Sequence, residues 1–301
     1  MINFSNKKRI LAIQEIDFLE HNPIQKEQLK RLYMDVNTIN LDFDTPIYRI
    51  YHYDRLLETL KTKKLCLVKP KLWDDPFENF LLKSTGILED GTKVSFEPIR
   101  ELLYGQCWSL KEECDGLWRN YTNYSCNSCS FCNWVYRHHN NCPSIKVQTT
   151  VGKLMDSFYD MTNSFHSLCY FITKVEYVDD GQIADILKNA ASKITDSTGL
   201  GVIKSLSIKR KAFEYEQEVR LIFNKPSDQS EVDLTSIANP WDNSDVFKFS
   251  IDPNSLFDKV ILNPWMDSNL QNDIIGEIKK YFNGEIVKSS LYEQPFFQVK
   301  I

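Results

Sequence analysis

The chain has 301 residues, 42% of them hydrophobic, and its 18 Phe, 14 Tyr and 6 Trp can fill one large core or a main domain with an appendage. A net charge of −5 argues against a protein that coats nucleic acid by bulk electrostatics, although a local basic groove stays open to it. With only 10 glycines and neither a G-x-G-x-x-G nor a G-x-x-x-x-G-K-[ST] motif, Rossmann and P-loop nucleotide sites are set aside. No apolar run is long enough to span a bilayer, and Met1 to Arg9 lacks the apolar stretch of a signal peptide behind its basic residues. A cytoplasmic setting is therefore expected, in which the 8 cysteines stay reduced rather than forming a disulfide framework.

In chain order, residues 1–44 predict an N-terminal helical arm, with helices from Lys8 to His21 and Ile24 to Asp35 broken at Pro23, ahead of a main domain over 45–301. Alternating aromatics predict a strand from Pro46 to Tyr53, followed by a helix capped by Asp54 and a strand from Leu65 to Val68. After a turn at Trp73 to Glu78 come a helix near Pro98 to Tyr104, a strand from Gly105 to Leu110 and a short helix from Glu113 to Tyr121. Residues 122–143 break all periodicity and read as a Cys-rich insertion. Beyond it the pattern predicts a strand at Ser144 to Thr149, a helix through Phe158, a long strand from Cys169 to Val178, and helices at Ile183 to Ile194 and Gly201 to Ala212. A strand from Phe213 to Phe223, a polar loop over 225–245, strands near Phe247 to Ile251, Lys259 to Leu262 and Phe296 to Lys300, and a helix from Leu270 to Phe282 complete the chain. Short strands interrupted by helices without a βαβ rhythm predict an α+β fold with a mixed, mainly antiparallel sheet and flanking helices.

Chemistry concentrates in the predicted strand around Glu216, Glu218 and Arg220, where a two-residue period puts all three charges on one face and Val219 and Leu221 on the other. Arg49, inside an apolar strand, needs a partner there, either a strand glutamate or a bound phosphate or carboxylate. His52, three residues on, faces the opposite way and is a candidate base or ribose donor. Ser109 ends a strand and could orient a glutamate, and Trp118 with Tyr121 share a helix face that could wall a planar ligand or pack in the core. The acids of Asp74, Asp75 and Glu78 read either as a capping turn or, with Glu216 and Glu218, as a divalent-metal nuclease or phosphodiesterase site. Cys126, Cys129, Cys132 and Cys142, with His138 and His139, form a dense set of soft ligands, for which a structural zinc is favoured over an iron–sulfur cluster and an unliganded insertion is the alternative. A third reading makes Arg49, Glu216, Glu218 and Arg220 a buried ion-pair lattice in a non-catalytic binding module.

Five segments together, Ile47 to Ile50, Leu67 to Asn79, Gln106-Cys-Trp-Ser109, Leu117 to Tyr121 and Tyr215 to Ile222, resemble a bacterial family known as domain of unknown function 2971, across roughly residues 46–262. The insertion after Tyr121 departs from that pattern. The layout is similar to that of ADP-ribosyltransferases, with their split sheet. The resemblance implies NAD as substrate, held at its phosphates by Arg49 with His52 as an alternative, and Ser109 positioning Glu218. Glu218 would hold a ribose hydroxyl and stabilise the positive charge that grows as the nicotinamide bond breaks, with Glu216 deprotonating the acceptor. It further implies a macromolecular acceptor, protein or nucleic acid, and a role as a bacterial toxin or defence effector.

Overall fold

The computed structural model describes residues 23–73, 75, 77–87, 90–122, 143–163, 165–188, 200–225 and 244–294. The expected helix at Lys8 to His21, the Cys-rich insertion and the last strand at Phe296 to Lys300 lie outside those residues. The strands, in order, are β1 (Thr38–Ile39), β2 (Pro46–His52), β3 (Lys64–Val68), β4 (Thr85–Ile87), β5 (Lys93–Ser95), β6 (Leu103–Ser109), β7 (Ser144–Thr150) and β8 (Tyr170–Lys174). They continue as β9 (Glu176–Val178), β10 (Ile208–Arg210), β11 (Glu218–Asn224), β12 (Val246–Ser250), β13 (Lys259–Leu262) and β14 (Glu285–Lys288). Ten of them form one sheet in the order β1-β8-β11-β6-β2-β7-β13-β14, with β3 and β12 branching from β6. The outermost pairs β1–β8 and β13–β14 are parallel and the pairs between them antiparallel. The fold is α+β, mixed and mainly antiparallel, as the sequence predicts.

One face of this sheet carries the larger core. Val219, Leu221 and Phe223 of β11 and Tyr104 and Trp108 of β6 point into it. Three helices cover it, each with an apolar stripe at helical spacing. They are α2 (Tyr53–Thr62), burying Leu56 and Leu60, α4 (Val151–Phe158), burying Leu154, Met155 and Phe158, and α5 (Ser268–Ile278), burying Leu270, Ile274 and Ile278. Side-chain caps start two of them: Thr150 accepts from the Lys153 amide and Asp267 from that of Leu270. Helix α1 (Pro23–Val36) adds Met34 to the same core. The opposite face is apolar at one end, around Leu103, Phe171 and Ile222, and ionic at the other, where Glu218 and Arg220 emerge. There Ile50 and Ile261 pack under Leu117 and Trp118 of α3 (Asp115–Thr122).

Three expectations need correction. The strand predicted from Phe213 starts only at Glu218, because Lys211–Glu216 winds as a 3-10 helix and Gln217 takes a left-handed φ of 43°. That kink takes Glu216 off the strand, so the two-residue period joins Glu218 and Arg220 but not Glu216. The helix expected at Gly201 to Ala212 ends at Ser205 and gives way to β10, which pairs with β9. The long strand from Cys169 breaks at Val175, whose amide donates to the Glu218 carbonyl, and β9 leaves the main sheet.

The sheet forks at β6. Its inner edge runs in continuous register with β11, from Glu218↔Ser109 to Asn224↔Leu103. Its outer edge meets β2 at Tyr48↔Ser109 and β3 at Val68↔Gly105, with no strand partner between. At the β3 branch Trp73 lies on Gly105, where an added Cβ would stand 2.6 Å from the indole Cζ2. Gly105→Ala is therefore expected to lower stability by roughly 1–3 kcal/mol, the ordinary cost of overpacking, read as a reduced denaturation midpoint in urea. An unchanged midpoint would contradict this account of the branch.

Candidate functional site

Where two strands diverge, backbone groups lose their ladder partners and must find others. The Leu110 amide donates to the Gln217 carbonyl, so Trp108 and Val219 form the hydrogen-bonded pair of the β6–β11 ladder. Cys107 and Ser109 then turn their backbone groups toward the fork. Two side chains replace the missing strand: Arg49 donates through Nη1 to the Cys107 carbonyl, and Gln106 donates through Nε2 to the Cys66 carbonyl at 3.0 Å. The Arg49 guanidinium also lies 5.0 Å from the centre of the Tyr51 ring. Its Nε is shielded from water and has no hydrogen-bond partner among the described residues. The groups acting most on its charge are Tyr51, Tyr121, Cys107 and Cys66, none of them a carboxylate. The expected salt bridge from Arg49 to a strand glutamate is not formed.

The glutamates have other cations. Arg220, with no exposure to water, donates to Glu218 Oε2 at 2.7 and 3.2 Å, to Glu78 Oε1 at 2.9 Å and to the Leu206 carbonyl, and lies over the Trp73 ring at 4.4 Å. Lys209 donates to Glu216 at 2.6 Å and lies 3.0 Å from Glu78 and 3.5 Å from Glu218. Three carboxylates thus share two cations. Burial pushes both cations' pKa values down, but the acids around them win and both stay charged. Burial also works against the Glu218 carboxylate, yet the charges of Arg220 and Lys209 hold its pKa below the ordinary glutamate value. Glu216 goes the other way: desolvation outweighs Lys209, and its pKa is raised. Two neighbouring carboxylates with pKa values driven apart are a familiar division into a permanently ionised group and a titrating one.

Glu216 and Glu218 line a cleft open to solvent together with Arg49, Cys107, Ser109 and Tyr121, and Tyr48, Trp118 and Lys146 also border it. Tyr121 is 38% exposed at the rim, while its hydroxyl sits among Arg49, Cys107 and Glu218, and desolvation pushes its pKa up to about 12. Trp118 is wholly enclosed; its indole donates to Glu113 at 2.9 Å, and the Lys146 ammonium lies 4.9 Å from its ring. Lys146 in turn pairs with Glu113 at 3.0 Å.

The structure therefore brings Arg49, Ser109, Glu216, Glu218, Trp118 and Tyr121 to one cavity, although the first and last carriers of charge lie far apart in the chain. His52 is not among its lining residues; it sits at the end of β2, where burial lowers its pKa. Ser109 does not reach the Glu218 carboxylate. Its hydroxyl donates to the Glu216 carbonyl at 2.6 Å and accepts from the Lys111 amide at 3.0 Å, so it holds the turn that presents Glu216. Asp75 is committed to Arg210 at 2.9 Å and to the Phe77 amide at 3.0 Å, and Glu78 to the two lattice cations, while Asp74 lies outside the described residues. Among the described residues no cluster of three or more His, Cys, Asp or Glu could hold a metal ion. Cys126, Cys129, Cys132, His138 and Cys142 lie outside the described residues.

Sequence reading missed Lys209, Lys146, Glu113 and Cys107. Lys209 and Lys146 sit in short alternating runs that look like solvated edges, and only the tertiary structure supplies their acids. Cys107 carried no signal beyond its place two residues before Ser109.

Removing Lys209 takes from Glu216 its cation and leaves Glu78 and Glu218 to Arg220. Lys209→Met should cost about 3 kcal/mol at pH 7.5, in line with breaking a buried ion pair from one side, and Glu216→Gln in the same chain should restore part of it. Glu218, whose folded pKa is depressed by these cations, contributes stability above its unfolded pKa that is lost as pH falls through the folded value. The K209M deficit should accordingly shrink at acid pH. Urea titrations of the single and double variants at two pH values check both points, and a deficit independent of pH would contradict them.

No family model and no curated protein matches the chain, so the resemblance to domain of unknown function 2971 is not confirmed. Among solved structures it is similar to DarT of Thermus sp. 2.9. The complex with NAD+ aligns with a TM-score of 0.35 at 10% identity, over 83% of this chain and 98% of that one. The complex with carba-NAD+ gives 0.33 at 11% identity over 83% and 97%, and that with ADP-ribosylated ssDNA 0.35 at 10% over 82% and 94%. Likeness at this level assigns no activity to the chain.

Proposed function

We propose that the cavity is the reaction centre of an NAD-using ADP-ribosyltransferase-like enzyme. The observation that supports this most is the pairing of an Arg49 guanidinium, without an acid partner among the described residues, with two carboxylates of opposite pKa tendency around one cavity. A buried donor with no partner is costly unless a ligand supplies an acceptor. A diphosphate suits it, because a guanidinium offers parallel donors to phosphate oxygens.

In this reading Arg49 holds the NAD diphosphate and the Tyr121 ring covers the nicotinamide end. Glu218, ionised and fixed by Arg220 and Lys209, faces the ribose carbon as its bond to nicotinamide breaks and positive charge develops there. The bonding pair leaves with nicotinamide. The acceptor nucleophile then attacks the ribose carbon and its proton passes to Glu216, which must be deprotonated to receive it. The acceptor is a nucleophile of a protein or nucleic acid, and the role of a toxin or defence effector belongs to this same reading.

The metal-dependent nuclease is disfavoured because Asp75, Glu78, Glu216 and Glu218 already have protein cations at hydrogen-bond or ion-pair distance. The ion-lattice reading has a specific observation behind it, since Glu78, Glu216, Glu218, Lys209 and Arg220 do form one network. A lattice alone does not account for an open cavity beside it, nor for Arg49 standing outside the network.

Nicotinamide release from NAD by the purified protein, with and without EDTA, tests the proposal. Turnover that survives chelation is expected. Glu218→Gln should reduce kcat at least about a hundredfold, the scale of losing one electrostatic group at a developing charge, while the protein remains folded. Collapse of the fold in E218Q, with no NAD cleavage by wild type, would favour the lattice. A separate expectation concerns pH: transfer to an acceptor should fall as pH drops through the raised Glu216 pKa. Glu216→Gln should remove that acid limb, and a limb that persists in E216Q would assign the base elsewhere.

A further inference from the structure

We propose that Tyr177 is a positioning residue of the site, its hydroxyl holding the main chain of Glu218 while its strand neighbour Lys209 holds the carboxylate. This rests on the reading above, and it gives the small sheet of β9 and β10 a task in the reaction.

Three observations lead there. First, β8 and β11 part at Glu218. Their ladder runs from Phe223↔Tyr170 to Val219↔Lys174. One residue further on, Val175 still donates its amide to the Glu218 carbonyl at 2.9 Å. The Glu218 amide, however, donates to the Tyr177 hydroxyl at 2.8 Å, which takes the place of a strand carbonyl. Without that hydroxyl the amide of a buried residue would lose its partner, which is costly.

Second, Tyr177 stands directly opposite Lys209 in the parallel β9–β10 pair. The Lys209 ammonium lies 2.6 Å from Glu216 and 3.5 Å from Glu218. One residue pair of this ribbon therefore brings a hydroxyl to the Glu218 backbone and a cation to both carboxylates.

Third, the ribbon is continuous in the chain with the strands it serves. β8 passes into β9 through Val175, and β10 passes through the 3-10 helix Lys211–Glu216 and the left-handed Gln217 into β11. Glu218 is thus the first residue of its strand after a kink, a place where a strand end frays unless it is held. Two hydroxyls bracket the kink: Ser109 donates to the Glu216 carbonyl on one side, and Tyr177 accepts from the Glu218 amide on the other. The spacing of the two carboxylates is set from both ends.

Tyr177→Phe removes the hydroxyl and keeps the ring. It should lower kcat for NAD cleavage roughly tenfold, the scale of one hydrogen bond. KM for NAD should stay within about twofold, because Arg49 keeps its seat on the Cys107 carbonyl. Tyr159→Phe serves as the control. It removes a tyrosine hydroxyl bonded to His166 at 3.0 Å, on a residue that does not line the cleft, and should cost stability without changing kcat.

The deciding experiment joins these kinetics to NMR of the Glu218 amide in protein labelled with nitrogen-15 glutamate, the signal being assigned with E218Q. In Y177F that amide should exchange with solvent at least about tenfold faster than in wild type, as a lost hydrogen bond requires, and in Y159F it should not change. Faster exchange with a kcat loss at constant KM supports the proposal. An unchanged amide overturns the contact. An unchanged kcat, or a Y159F variant that loses kcat as Y177F does, overturns the positioning role. The amide needs no turnover, so a wild type that fails to cleave NAD would overturn the reaction reading while the hold of Tyr177 on Glu218 is still decided. Should Y177F not fold, slow exchange of the Glu218 amide in wild type supports the contact, and exchange at the rate of an exposed amide overturns it.

Discussion

The candidate site depends on Arg220 having no access to water. A guanidinium in that position is tolerable only when each of its donors has an acceptor. Glu218, Glu78 and the Leu206 carbonyl provide them, from a strand, a turn and the end of a helix distant in sequence. Lys209 then ties Glu216 into the same cluster. The resulting network fixes the Glu218 carboxylate at the edge of the cavity with both cations on its Oε2. A carboxylate so held is arranged in advance for a positive charge and needs no reorientation when one develops.

The fork in the sheet supplies the other half. Had β2 run alongside β6 through its whole length, the Cys107 carbonyl would face a strand amide and Arg49 would point into a closed ladder. Because the two strands share only the Tyr48↔Ser109 position, an arginine enters the gap and its Nε has no partner among the described residues. A structural requirement, satisfying an orphaned carbonyl, thereby places a cation at the cavity. The opposite face of the sheet carries the larger core, and this division lets one face bear charge while the other carries much of the burial that favours folding.

Much of the fold was legible in the sequence. Alternating runs at 46–53, 65–68, 144–149 and 259–262 predict β2, β3, β7 and β13 closely, because each presents an apolar set to the core. The failures share a cause. Between Gly201 and Phe223, helix, strand and 3-10 turn are decided by long-range contacts: the Ser109 hydroxyl on the Glu216 carbonyl and the left-handed Gln217. Neither has a local signature, since glutamine is not a residue that announces positive φ. The convergence of Arg49, Ser109 and Glu218 on one cavity could be suspected from residue types and resemblance. The partners that set their charge states could not. Lys209 lies seven residues from Glu216, and Glu78 lies far upstream.

In the proposed reading Arg49, which has no acid partner among the described residues, is held for the diphosphate of NAD. Calorimetric titration of the wild type and of Arg49→Ala with NAD tests it most directly. The account predicts saturable one-site binding to wild type and at least about tenfold weaker binding to R49A, as expected when a charge-assisted bidentate contact is lost. Equal affinity in the two proteins, or no detectable heat with wild type, would contradict it.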